Sequence, residues 1–231
     1  MTIITVNAIP DSTITPVGPF CSNDAAVNLT AATSGGTWKV DATTLGSNSF
    51  NPASYSVGSH QIHYNVTAGG CSSHDTITVQ INQRKNATIT AVAAMCKNAA
   101  VKTLTAVDAG GVWSGTGITN TSTGIFNPST SGAGTFTITY TIAGSCGDTK
   151  TTSITVNPID SAKILPAGPF CSQSSATTLQ LTSGSTTGGV WSGTGVTSNA
   201  GVGTFDPTGL PQGNHQIKYT SPGSCKVSDS I

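Results

Sequence analysis

The side chains whose type and spacing point to chemistry are six cysteines. Cys21, Cys96 and Cys171 recur at intervals of 75 residues, and Cys71, Cys146 and Cys225 follow them by 50, 50 and 54. Two thiols brought together in an oxidising compartment form a disulfide, and small modules with thin cores rely on such staples. The spacing predicts one pair per copy: Cys21 with Cys71, Cys96 with Cys146, and Cys171 with Cys225. Each bridge is expected near one end of its module, tying the start of the second strand to the last hairpin. A loop of roughly 50 residues closed in this way gains about 4 kcal/mol in the chain-entropy account. The alternative is six free thiols in a reduced protein, but redox or metal chemistry gives no reason for a recurrence every 75 residues.

Other reactive residues form no constellation. His60 and His63 are three apart on an expected strand, which puts them on opposite faces, and His74 falls in a loop. The segments "SGTG" at 114–117 and 192–195 look like phosphate loops but lack the lysine and helix that an anion cradle needs. Asp41, Asp108 and Asp206 stand alone and read as turn residues; with no Asp-x-Asp cluster and no Glu, calcium has no ligand set. No paired carboxylates suggest sugar hydrolysis. We therefore expect no catalytic residue, no metal and no cofactor. Trp38, Trp113 and Trp191 hold the same place in each copy, flanked by glycines, and are expected in the core rather than as sugar platforms. The Thr135, Thr137, Thr139 and Thr141 row is expected to be a solvated strand face rather than an ice- or sugar-binding one.

The elements that carry these residues read as strands. Residues 134–143, "GTFTITYTIA", alternate strictly: Phe136, Ile138, Tyr140 and Ile142 share one face. Residues 151–157 close the copy, with Ile154 and Val156 inward, and 86–92, 100–107, 109–117 and 124–129 supply shorter strands. The first copy repeats the pattern with Ile62, Tyr64 and Val66, then Ile77, Val79 and Ile81; the third has Ile217 and Tyr219. Phe50, Phe126 and Phe205 each precede Asn-Pro or Asp-Pro. Six or seven short strands per copy predict an all-β fold of three tandem immunoglobulin-like β-sandwich modules. The expected modules are 9–83, 84–158 and 159–231. Joints with Pro10, Pro16, Pro158 and Pro166 leave almost no linker, so a semi-rigid rod is expected.

Composition narrows the function classes. Nine acidic residues, all Asp, balance nine basic ones, so nothing favours nucleic acid or an anionic membrane. No stretch approaches the ~20 apolar residues of a membrane span. The first residues have neither a basic region nor a long apolar run, so they do not read as a secretion signal, and the chain is expected to be a piece of a longer exported protein.

The register of the repeat also shows its frame. Residues 2–7, "TIITVN", match the closing strand "SITVN" at 153–157, so residues 1–8 read as the closing strand of a preceding module. Residues 225–231, "CKVSDSI", match "CSSHDTI" at 71–77, so the third module lacks most of its last strand. Either the array is cut from a longer one, or the spare strand of one molecule completes the third module of the next, head to tail.

The blocks "GPFCS", "GGVWSGTG" and "GTFDP", with the cysteines and the closing "D-x-I-T-V", resemble the immunoglobulin-like repeats of very large surface proteins in Bacteroidota, over essentially the whole chain. The resemblance implies the stalk of an adhesin, a gliding-associated protein or other type IX secretion cargo. It implies a non-enzymatic, extracellular structural segment whose partners are neighbouring repeats. It also implies that the Asp-Ser/Thr-apolar triplets are O-glycosylation sequons, with Ser12, Thr76, Ser161 and Ser230 as acceptors. An array of carbohydrate-binding modules that recognise surface glycans is the alternative function.

Overall fold

A computed structural model describes residues 2–231; Met1, which belongs to the expected first segment, lies outside them. The chain is all-β apart from single turns of helix, and its strands form immunoglobulin-like sandwiches. Two compact units are distinguished. One holds residues 2–88, 107–111 and 141–150; the other holds 89–106, 112–140 and 151–231.

In the first unit the long hairpin Gly58–Ala68 and Cys71–Asn82 is the spine. Its strands pair without a break from Gly58↔Ile81 to Ala68↔Cys71. Gly69 and Gly70 form the two-residue turn with positive φ at both positions, the geometry that matches strand twist and that Gly-Gly adopts without steric cost. Thr37–Val40 joins one side, with Trp38 opposite Tyr64, and Thr43–Thr44 extends that edge. On the other side Phe20–Cys21 runs parallel to Ile81–Asn82. A second layer pairs Val27–Asn28 with Ser49–Phe50 and bridges Ile14 to Ala31. Between the layers lie Ile14, Leu29, Trp38, Val40, Phe50, Ile62, Tyr64, Val66, Val79 and Ile81. Alternation along both long strands turns every second side chain inward, and Ile62, Tyr64, Val66, Val79 and Ile81 reach this core.

The second unit repeats the theme. One four-stranded sheet has the order Val112–Ser114, Gly134–Ile142, Asp148–Asn157, Met95–Cys96, and the turn end of its central hairpin clusters with the first unit. Met95–Cys96 runs parallel to Val156–Asn157, as Phe20–Cys21 does to Ile81–Asn82. Further along the chain, Val190–Gly193, Ile217–Thr220 and Ser228–Ser230 form one sheet and Thr177–Thr178, Val202–Phe205 and Val196–Asn199 another. Ile164, Leu179, Trp191, Phe205, Ile217 and Tyr219 fill the space between them.

The strands expected at 86–92 and 100–107 are shorter than the sequence suggested. Only Lys102–Thr103 and the single bridge Ile89↔Ala106 are regular. The polar side chains compete for the backbone there: the Asn86 amide donates to Asp108 and the Thr88 amide to the Asn86 side chain. The Asn-Pro signal works as a cap. Asn51 and Asn127 side chains accept from the amides of Ala53 and Ser129, and each starts one helical turn at the following proline.

Candidate functional site: bridges, free thiols and an open strand slot

The cysteines do not pair within each copy. The bridges are Cys21–Cys146 and Cys96–Cys225, with Cα–Cα distances of 5.4 and 5.5 Å, and Cys71 and Cys171 are free. The expected pairs Cys21–Cys71, Cys96–Cys146 and Cys171–Cys225 are thus corrected. The reason is strand length. Cys21 lies beside Asn82, at the end of the strand that Cys71 begins. Eleven residue steps at about 3.3 Å put the two roughly 36 Å apart. A disulfide needs Cα atoms about 4.4–6.8 Å apart. Cys21 instead meets Cys146, so each bridge joins cysteines from two successive copies of the sequence pattern. The parallel pairing of "Phe-Cys" with the closing strand was the signal missed; an estimate of strand length would have exposed it.

The two bridges share a backbone hydrogen bond, while Cys146 Sγ faces the Phe20 carbonyl at 3.8 Å. The residue after the first cysteine donates its amide to the closing asparagine: Ser22 to the Asn82 carbonyl and Lys97 to the Asn157 carbonyl, each at 2.9 Å. Cys225 Sγ stands 4.0 Å from the Asn157 carbonyl. Cys71, though free, has the matching neighbour: its Sγ lies 3.7 Å from the Asn7 carbonyl, and Asn7 Nδ2 donates to Gly69 O at 2.7 Å. Asn7 therefore occupies the place that Asn157 holds in the formed bridge. The residues before it are bare, with Ile4 87 % and Val6 92 % exposed.

The other free thiol borders a groove. Ser228–Ser230 pairs with Lys218–Thr220, and Ile231 exchanges two backbone hydrogen bonds with Ile217. Among the described residues no strand continues this pairing along Gly213–Gln216, whose counterparts Gly58–Gln61 pair with Thr78–Ile81. A groove of about 950 Å³ lies there, lined by Phe170, Cys171, Phe205, Leu210, Ile217 and Ile231 among others. Phe170–Cys171, in the same "GPFCS" sequence as Phe20–Cys21, is not a strand.

The tryptophans are core residues: each is at least 93 % buried and packs on the tyrosine opposite, with ring centroids 4.3, 4.4 and 4.8 Å apart for Trp38–Tyr64, Trp113–Tyr140 and Trp191–Tyr219. No face is left for a sugar to stack on. Ser12 is buried against Ser73, its Oγ 2.9 Å from that hydroxyl, whereas Thr76, Ser161 and Ser230 are exposed. A glycan on Ser12 has no room, so that acceptor is withdrawn. The aspartates of two triplets are structural: Asp75 and Asp229 accept from the Ile14 and Ile164 amides at 2.8 Å.

His60 is buried and His63 faces the other way. His60 Nδ1 lies 2.7 Å from Asp41 Oδ2, and its Nε2 2.8 Å from the Ser56 carbonyl. Asp41 is thus not isolated: it also accepts from the Gln61 amide. The hydrogen bond to Asp41, then that to Ser56, raises the His60 pKa against the opposing effect of burial. The same bond, then the Gln61 amide, lowers that of Asp41. Asp206 accepts from the Thr208 amide, which lowers its pKa and marks it as a turn residue. Among the described residues no helix is long and apolar enough to cross a membrane.

No protein-family model matches this chain, and no curated protein matches it. Solved structures with a similar course include protocadherin gammaB7 EC3-6, 11 % identical with a TM-score of 0.35 over 96 % of this chain and 76 % of that one. Mouse cadherin-23 EC22-24 is 11 % identical, with a TM-score of 0.31 over 96 % and 97 %. A Bacteroides ovatus mixed-linkage glucan utilization locus protein, SGBP-B, in complex with a mixed-linkage heptasaccharide, is 12 % identical, with a TM-score of 0.24 over 97 % and 68 %. Likenesses this distant carry no function across.

Proposed function

We propose that this chain is a non-enzymatic structural segment of an extracellular surface stalk, built from repeats 9–83, 84–158 and 159–231. The observation that carries the reading is the pair of bridges Cys21–Cys146 and Cys96–Cys225, each joining one repeat to the next. A covalent tie across a repeat boundary resists separation of neighbours under load, a property that a catalytic or ligand-binding module does not require. Two native disulfides in a chain of this size also favour an oxidising, exported setting. The resemblance to Bacteroidota adhesin repeats agrees with this role, and the exposed Thr76, Ser161 and Ser230 are the acceptors kept for glycosylation.

In this reading copies assemble head to tail. Residues 3–7 of one copy enter the groove of the next as its closing strand, which extends a sheet by main-chain pairing and fills alternate side-chain pockets. Ile4 and Val6 take the places that Val79 and Ile81 hold in the first repeat, where exposure is 1 % and 0 %. The contact is heterologous, so it propagates rather than closes. Light scattering and electron microscopy of the purified chain test it. Filaments that lengthen with concentration, and vanish when residues 2–7 are deleted, are expected; a strict monomer at all concentrations overturns head-to-tail assembly.

A further inference from the structure

We infer that Cys71 and Cys171 are the two halves of an intermolecular disulfide that locks each head-to-tail junction; the inference rests on the strand insertion proposed above. Among the described residues the six cysteines fall into two classes. Cys21, Cys96 and Cys171 each follow a phenylalanine or methionine, and the first two lie beside a closing strand; Cys71, Cys146 and Cys225 sit at the hairpin of a repeat. Both bridges join one member of the first class to the hairpin cysteine of the following repeat. By the same rule Cys171 wants a hairpin cysteine from a repeat after it, and Cys71 wants a first-class cysteine from a repeat before it. Each is the one member of its class left unpaired.

A single docking event meets both needs. When Val6–Asn7 of a second copy lie alongside Phe170–Cys171, they reproduce the parallel pairs Ile81–Asn82 with Phe20–Cys21 and Val156–Asn157 with Met95–Cys96. Asn7 already carries its own Cys71 at 3.7 Å. The incoming strand therefore delivers Cys71 to Cys171, as the Asn157 strand end holds Cys225 beside Cys96. Both thiols are open to the reaction, because Cys171 is exposed at the rim of the groove and Cys71 is half-exposed.

The oxidant is a small-molecule disulfide such as oxidised glutathione. The Cys171 thiolate attacks one of its sulfurs and one glutathione leaves as thiol. The Cys71 thiolate of the second copy then displaces the other glutathione, forming the Cys71–Cys171 bond. Two cysteine thiols are oxidised, two glutathione thiols are made, and the two protons pass to them.

The test incubates the whole chain with oxidised glutathione and resolves it on denaturing gels without reductant. A ladder at multiples of 23.1 kDa, collapsed by dithiothreitol, is expected, with a linked peptide pair containing Cys71 and Cys171 in the digest. Cys71→Ser and Cys171→Ser each remove the ladder beyond a dimer. Adding the five residues Ile-Ile-Thr-Val-Asn after Ile231 fills the groove from within and abolishes both ladder and assembly. Bridges of Cys71 to Cys71, of Cys171 to Cys171, or between the two within one chain overturn the inference. So does assembly by light scattering in which both thiols stay free to alkylation; that result leaves strand insertion standing. A monomer with no ladder overturns the lock and the insertion together. Ile4→Asp with Val6→Asp, substitutions at exposed positions that leave the fold of the monomer intact, must lose the ladder; a ladder that survives them means the thiols meet without the strand.

Discussion

The first and third repeats contain the same pentapeptide, Gly-Pro-Phe-Cys-Ser, at 18–22 and 168–172, in two different states. In the first, Phe20 and Cys21 form a strand on Ile81–Asn82 and both are buried. In the third, Phe170 is half-buried, Cys171 is exposed, and neither belongs to a strand. Local sequence is identical, so it cannot decide the difference. The neighbour decides: the first repeat's closing strand has twelve residues, Cys71–Asn82, and the third's has three, Ser228–Ser230. A strand this short leaves the parallel edge without partners and the apolar end of the sandwich uncovered. The comparison teaches that the closing strand of each repeat does two jobs. It completes the core with two apolar side chains, and it presents a backbone edge that converts "Phe-Cys" from loop to strand.

Truncating the two phenylalanines gives the largest contrast. Phe20 packs on Phe50 at 5.4 Å between centroids and Phe170 on Phe205 at 5.3 Å, so the ring contact is the same and only the cover differs. Phe20→Ala removes a buried ring, 8 % exposed, and is expected to cost about 3–5 kcal/mol. Phe170→Ala removes a half-covered one and is expected to cost about 1–2 kcal/mol. Urea unfolding of each variant, in a chain that lacks residues 2–7 and is therefore expected to stay monomeric, measures both. Equal losses would mean that the closing strand does not create the difference in burial.

The bridges give the next contrast. Removing Cys21–Cys146 by Cys21→Ser with Cys146→Ser is expected to cost about 2–5 kcal/mol, within the range for native disulfides. Cys71→Ser and Cys171→Ser are expected to leave the monomer within about 0.5 kcal/mol, since neither thiol is tied and neither is fully buried. Unfolding of the oxidised monomers separates the two outcomes. A large loss at Cys71 would mean that it is held by packing, not kept for a partner.

Legibility followed the range of the interaction. The long strands were readable because alternation is local: Ile62, Tyr64 and Val66, and Ile138, Tyr140 and Ile142, all face inward. The Asn-Pro stops were readable because a cap bonds two residues away. The bridges were not. Which end of the closing strand receives Cys21 depends on a parallel pairing of residues about sixty apart, and no local pattern encodes it. Nor was the Asp41–His60 pair, since the turn that carries Asp41 at φ 50° sets its carboxylate against the neighbouring strand. The free thiols emerged only when the bridges were known.

Two glycines sharpen what the repeats share. Gly36 and Gly189 donate their amides to Tyr64 and Tyr219 at 2.8 and 2.9 Å, and those hydroxyls donate on to the Thr33 and Thr186 carbonyls. A Cβ at Gly36 would stand 2.3 Å from the Asn65 carbonyl oxygen, and one at Gly189 would stand 2.1 Å from that of Thr220. Backbone cannot give way as a side chain does, so Gly36→Ala and Gly189→Ala are each expected to cost about 1–3 kcal/mol. Because this contact lies beside the part of the closing strand that both repeats possess, Tyr64 and Asn65 opposite Asp75 and His74, Tyr219 and Thr220 opposite Asp229 and Ser228, the two losses should be alike. A clearly smaller loss at Gly189, measured by the same unfolding assay, would show that the open repeat is loosened throughout and not only at its uncovered end.

The smallest effect distinguishes the repeats by pH. His60 has a carboxylate partner in Asp41, whereas its counterpart His215 meets the Pro211 carbonyl through Nε2 at 2.9 Å. The bond to Asp41 raises the folded pKa of His60 above 6.5. Its contribution is therefore complete below 6.5 and is lost as pH rises through the raised value. The lowered pKa of Asp41 acts at the other end: its contribution is complete above 3.8 and is lost as pH falls through the depressed value. The pair thus stabilises the first repeat most between those limits. Asp41 is half-exposed, so solvent screens the interaction and the change is expected to stay under about 1 kcal/mol. Urea midpoints should fall modestly between pH 6 and pH 8.5, and His60→Phe, the residue type at the matching Phe136, should flatten that slope. An unchanged slope in the variant would assign the pH dependence to other groups and leave the buried histidine as a filler that its carboxylate merely orients.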